Sequence, residues 1–137
     1  MTASEYKEAF RREMIRWSEE VRRTDPNVFL RAAIAEAEAH RFPVWILVDA
    51  RRPCDLSFFQ GFEGRVMRVR IEASEETRAL RGWSWTAGVD DADSECGLDQ
   101  VAQWDLVIRN EAETSEEELL HQLEPLIEAA SRLCNCN

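Results

Sequence analysis

The sequence predicts an α/β fold, a parallel sheet with helices on both faces. Two observations carry this. Short apolar runs alternate along the chain with longer segments whose apolar residues recur at helical spacing, which is the order of elements that builds parallel sheets. The run Val44 to Val48 is continuous and follows Pro43, the pattern of a parallel strand buried on both faces. With 137 residues the chain is of single-domain size, and one domain is expected over residues 1–137. No internal repeat or low-complexity segment interrupts it.

From Ser4 to Arg23, Tyr6, Phe10, Met14, Trp17 and Val21 keep the spacing of one apolar helical stripe, with Ser4 as a candidate cap. On the same helix Lys7, Arg11 and Arg22 fall within about 60° of one another on another face, a basic stripe that Glu8 and Glu19 could equally pair and solvate. Pro26 opens a second helix reaching about His40, with Arg31 near its start. After the strand Val44 to Val48 come Asp49, Arg51 and Arg52, at the carboxyl end where open α/β sheets bind ligands. Leu56 to Phe62 suggests a helix. Val66 to Ile71 suggests a second strand, with Val69 and Ile71 facing opposite to Arg68 and Arg70. Ser74 can cap a helix carrying Arg78 and Arg81. Trp104 to Ile108 makes a third strand and delivers Asn110 and Glu111 at its end. A last helix from about Ser115 is expected to bury Leu119, Leu123, Leu126, Ile127, Ala130 and Leu133.

Composition removes several classes of function. A formal net charge of −10 argues against a nucleic-acid partner, which needs a concentrated basic surface. Positive charge is carried by sixteen arginines and one lysine, Lys7; the planar guanidinium suits bidentate contacts to phosphate or carboxylate. Cys54, Cys96, Cys134 and Cys136 form neither a paired framework nor zinc spacing, so reduced thiols are expected and no metal ligands are assigned. No apolar run approaches the length needed to span a bilayer.

Residues 78–99 look built to close over a charged ligand. Arg78 and Arg81 share a helical face, Gly82, Gly88 and Gly97 allow bends, and five carboxylates fall between Asp90 and Asp99. A polar flap of this kind excludes water from a transferring phosphoryl group. Asp90 and Asp91 more readily shape a turn and pair with arginines than hold Mg²⁺. Trp83 and Trp85 fit packing of a closed flap better than stacking on a base. Cys96, among carboxylates, is not expected to be a reactive thiolate.

Several blocks occur in one order: Tyr-Lys-Glu-Ala-Phe-Arg at 6–11, Met-Ile-Arg-Trp at 14–17, Asp25-Pro26, Pro-Val-Trp-Ile-Leu-Val-Asp-Ala-Arg-Arg at 43–52, Arg81-Gly82-Trp83, Gly-Val-Asp-Asp-Ala from Gly88, and Ser-Glu-Cys-Gly-Leu-Asp from Ser94. Taken together, from about Ser4 to Leu133, they resemble animal-type phosphomevalonate kinase. The resemblance implies a nucleotide-kinase-like P-loop fold, and 78–99 as its lid. It implies transfer of the γ-phosphoryl of ATP, carried with Mg²⁺, onto mevalonate 5-phosphate, a step of isoprenoid and sterol biosynthesis. No Gly-x-x-x-x-Gly-Lys occurs in these residues. The family's opening strand, phosphate loop and first helix are therefore expected upstream of Met1, and a core without that strand is expected to be incomplete.

By the same resemblance, Arg51 and Arg52 match the acceptor-phosphate pair, with Lys7, Arg11, Arg22 and Arg31 at basic positions near the same substrate. Asn110 matches a polar acceptor contact. Arg81 matches the lid arginine that reaches ATP, Arg78 lies a turn before it, and Arg70 matches a further basic position. Gln122 aligns with an adenine-side contact across a longer loop. Glu111 departs from the family, which usually has histidine there, and a carboxylate would repel nucleotide phosphates. For Arg51 and Arg52 an ion pair to Asp49 or Asp55 is the structural alternative, and it can coexist with binding.

Two other readings stand beside the kinase. One is a non-catalytic fragment that binds anions or pairs with a complete subunit; the other is a different small-phosphate kinase of the same fold. A monomer is expected, with mevalonate 5-phosphate and ATP as partners and neither nucleic acid nor membrane among them. Ser131-Arg132-Leu133 resembles a peroxisomal tripeptide, but Cys134 to Asn137 follow it. That signal is read at a free carboxyl end, so a cytosolic protein is expected, with the Cys-Asn-Cys tail a frayed helix end.

Overall fold

The computed structural model describes residues 3–62 and 65–134. They divide into two compact units, 1–41 and 42–137.

The first unit is helical. Helix α1 spans Ala3–Thr24, and α2 spans Val28–Glu36 and buries Leu30. A 3₁₀ turn at Ala39–Arg41 follows, so regular helix ends about one turn before the predicted limit at His40. Glu38, at φ +46°, takes the left-handed conformation that ends α2. Trp17 meets the edge of Phe29 with ring centroids 5.7 Å apart. Phe10, Met14 and Trp17 of the predicted apolar stripe are exposed.

The second unit is mixed α/β around a small parallel sheet. Strand β1 is Val69–Glu72 and β2 is Leu106–Arg109. They pair in parallel with Val69 opposite Leu106 and Ile71 opposite Ile108. Ile108 is the buried apolar side chain of this sheet. The Asn110 N–H donates to Glu72 O at 2.8 Å, prolonging the ladder into the site. The connection between the strands carries α4, Glu75–Leu80, and α5, Asp93–Cys96. Ser74 caps α4, its Oγ accepting from the Thr77 N–H at 3.1 Å. Helix α6 runs Glu116–Cys134. A reciprocal cap starts it: Ser115 Oγ accepts from the Glu118 N–H at 3.2 Å, and Glu118 Oε2 accepts from the Ser115 N–H at 2.8 Å, the arrangement that satisfies two orphan donors at once. Leu119, Leu123, Leu126 and Ala130 are half-buried, whereas Ile127 is exposed.

Two sequence expectations need correction here. Residues 44–48 are not a strand: among the described residues no backbone hydrogen bond pairs them, and Ile46 and Val48 are 84% and 90% exposed. An apolar run becomes a doubly buried strand only when neighbouring strands satisfy its amides and helices cover its faces. The helix expected over 56–62 starts earlier, as α3 at Pro53–Phe58, and closes with a 3₁₀ turn at Phe59–Gly61. Pro53 supplies the preset φ of a first helical residue, and Phe58, Phe59 and Phe62 then cluster with ring centroids 5.0–5.4 Å apart. The residues expected to fray at 135–137 lie outside the described residues.

Candidate functional site

Arg51 and Arg52 stand on a backbone held by one carboxylate. Asp55, the third residue of α3, accepts through Oδ2 from the N–H groups of both Arg51 and Arg52 at 3.0 Å. Arg52 is extended there, at φ −126° and ψ 151°. Asp55 therefore serves the backbone and leaves both guanidinium groups to other partners. The Arg51 guanidinium donates from Nε to Asp49 Oδ1 and from Nη1 to Glu95 Oε1, the latter at 2.7 Å. The expected ion pair to Asp49 is thus present, and a second carboxylate comes from α5, 44 residues along the chain. Arg51 holds its proton more firmly than an ordinary arginine. The hydrogen bond to Asp49 is the largest cause; partial burial opposes it, and the fields of Asp49 and Glu95 and the bond to Glu95 add smaller effects in the same direction as the Asp49 bond.

Arg70 is tied to the same stretch. It donates from Nη1 to Leu98 O and from Nη2 to Asp99 Oδ1, each at 3.2 Å, pairs with Glu72 at 3.2 Å, and lies 5.6 Å from the centroid of Trp104.

Arg81, Asn110 and Glu111 form a second group. Arg81 Nη2 donates to Asn110 Oδ1 at 2.9 Å and to Glu111 O at 3.2 Å. The Glu111 carboxylate turns the other way. It accepts from the Ser74 N–H at 3.0 Å and from Thr77 Oγ1 at 2.6 Å, with Ser74 Oγ 2.8 Å away. Thr77 is 3% exposed and its Oγ1 also accepts from the Ala112 N–H at 3.1 Å. These bonds hold the Glu111 carboxyl below its usual range, Thr77 contributing most, then Ser74, with Arg81 adding a smaller attraction. Glu111 thus fastens the start of α4 to the end of β2. Among the described residues no hydrogen bond or ion pair joins Arg51 to Arg81 or Asn110.

The flap folds around Trp83. The Arg78 guanidinium lies 4.3 Å from its ring centroid, and its Nε1 donates to Asp90 Oδ1 at 3.2 Å. Asp90 also accepts from the Thr86 N–H and Asp91 from the Gly88 N–H, each at 2.6 Å. Both carboxylates shape turns, which suits Gly88 at φ +77° and Gly82 at φ +91°. Gln122, on α6, places its amide on the backbone of β2, accepting from the Arg109 N–H at 2.7 Å and donating to Arg109 O at 3.1 Å. The shallow hollow it borders is walled by Glu111, Glu113, Glu117 and Glu118. In the first unit, the Arg22 guanidinium lies 4.6 Å from the Phe29 ring centroid and Arg31 pairs with Asp25. The side chains of Lys7 and Arg11 lie outside the described residues. Among the described residues no group of three or more His, Cys, Asp or Glu is placed to hold a metal ion.

A sequence model of the family described as phosphomevalonate kinase matches residues 1–64, the span that contains Arg51 and Arg52. The chain is also 45% identical over 116 residues to the phosphomevalonate kinase of Drosophila melanogaster, an alignment that covers 82% of this chain and 61% of the fly protein. This sequence is similar to phosphomevalonate kinases over most of its length. It spans about three-fifths of the length of that curated relative.

Sequence reasoning named Asp49 as a partner for Arg51, which the structure shows, but not Glu95. Asp55 was legible as the third residue of a helix opened by Pro53, where a carboxylate meets free N–H groups. Glu95 and Asp99 carried no such signal, since their contacts to Arg51 and Arg70 span 44 and 29 residues. Glu111 reads as a misplaced charge until Ser74 and Thr77 are seen beside it.

Proposed function

We propose that this chain carries the acceptor and lid parts of a phosphomevalonate kinase with a nucleotide-kinase-like fold. The reaction moves the γ-phosphoryl of ATP onto a phosphate oxygen of mevalonate 5-phosphate, giving the diphosphate and ADP, with Mg²⁺ arriving as part of the nucleotide substrate. The observation that carries this reading is the Arg51–Arg52 pair, two adjacent guanidinium groups on a backbone fixed by Asp55. Both reactants are polyanions, and fixed positive charge offsets the repulsion between them with no reorganisation during transfer. Arg51 and Arg52 take the acceptor phosphate. Asn110 takes the carboxylate or hydroxyl end of mevalonate, and Arg81, bonded to Asn110, turns to the nucleotide phosphates. Arg78 and Gln122 serve the nucleotide side. We place the protein in the cytosol; no helix among the described residues is long and apolar enough to cross a membrane.

The alternative reading is an anion-binding module without turnover. A coupled ADP-release assay with MgATP and a panel of acceptors separates the readings. ADP release that depends on mevalonate 5-phosphate supports the kinase. Preference for a nucleoside monophosphate as acceptor contradicts it, and acceptor binding without any ADP release supports the module.

A further inference from the structure

Arg51 has three nitrogens with which to grip an anion, and two are engaged. A guanidinium binds a tetrahedral oxyanion bidentately through its Nη1/Nη2 edge or through its Nε/Nη2 edge. Asp49 holds Nε and Glu95 holds Nη1, so each edge has one nitrogen already shared with a carboxylate, while Nη2 carries two further N–H donors. The two carboxylates differ in how they are held. Asp49 is two residues from Arg51 on the same extended segment. Glu95 arrives from α5, a four-residue helix within the flap. Of the two, Glu95 is the one that can leave without unmaking the corner that Asp55 fixes.

We propose that Glu95 is a placeholder for the phosphate of the acceptor: a bound phosphate takes the Nη1/Nη2 edge of Arg51, and Glu95 is released with the 93–99 segment. The inference rests on the reading of Arg51 as a phosphate-binding residue. Its chemistry is an exchange of one oxyanion for another. Two hydrogen bonds to a dianion replace one bond to a carboxylate, and Glu95 returns to water, which solvates it at little cost because it is already 39% exposed. Linkage then requires the converse: whatever frees the flap tightens phosphate binding by the same factor. The empty site is thereby spared an unneutralised guanidinium, and arrival of the phosphate is coupled to release of the 93–99 segment.

The test uses inorganic phosphate as the probe, at constant ionic strength so that screening of the pair is held fixed. Calorimetric titration of the chain and of Glu95→Gln is expected to show phosphate bound about two- to fivefold more tightly by the variant, the scale set by an exposed ion pair. On an Arg51→Met background the same substitution is expected to change nothing, which a merely structural role for Glu95 would not produce. Amide exchange in the unaltered chain is expected to quicken over residues 93–99 when phosphate is added. Equal or weaker phosphate binding by Glu95→Gln overturns the proposal, and so does unchanged or slower exchange over 93–99. If Glu95→Gln does not fold, the exchange measurement decides alone. The kinase reading fails separately: a coupled assay without acceptor-dependent ADP release, beside the phosphate results expected here, sinks the reaction and leaves the exchange standing.

Discussion

Glu111 shows how a residue that breaks a family pattern can be stabilising where it stands. Its carboxylate is satisfied by Ser74 and Thr77, so its charge points into the α4 start and away from Arg81. Thr77→Val keeps shape and removes the hydroxyl. Glu111 and the Ala112 N–H then each lose a partner, and the variant is expected to lose about 1–3 kcal/mol in chemical denaturation. An unchanged denaturation midpoint would contradict the assigned bonds. The pH dependence follows from sign. The Glu111 carboxyl is held below its ordinary value of 4.5, so its contribution is full above that value and is lost as pH falls through the lower folded value. The denaturation midpoint is therefore expected to drop as pH falls below about 4.5, and Glu111→Gln to flatten that drop in part. Asp105 and Glu118, held down by Arg68 and Ser115, supply the rest. An identical pH profile for Glu111→Gln would contradict the account.

At the scale of elements, local signals were legible and pairing was not. Ser74 announced a cap and the last helix was expected from about Ser115, and both helices begin where those residues stand. The parallel pairing of the last two predicted strands is present, shifted by two or three residues at their starts. Val44 to Val48 reads as the most strand-like run in the chain and forms no strand, because apolar content expresses a preference for burial that only a neighbour can satisfy. Gln122 illustrates the same limit for the site. A polar residue on a helix gives no sign that its amide pairs with a strand backbone, yet it holds both groups of Arg109 and so docks α6 on the open edge of β2. Gln122→Ala is expected to cost about 1–2 kcal/mol and to abolish exchange protection of the Arg109 amide. Retained protection would show that another group covers that edge.

At the scale of the molecule, the sequence was most informative about chemistry and least about completeness of packing. The blocks around Arg51, Arg81 and Gly88 resemble phosphomevalonate kinase, to which the fly relative and, over residues 1–64, the family model also point. Among the described residues only Leu30 and Ile108 are buried apolar side chains, a quantity that depends on long-range neighbours and leaves no mark in a local pattern. What unites the scales is a single claim, that the Asp55-fixed corner of Arg51 and Arg52 binds the phosphate of the acceptor. Calorimetric titration of mevalonate 5-phosphate into this chain, and into Arg51→Met/Arg52→Met, tests it most directly. The account predicts saturable binding at one site per chain, weakened tenfold or more in the double variant, about 1.4 kcal/mol or more. Absence of saturable binding, or binding that the double variant leaves unchanged, would contradict it.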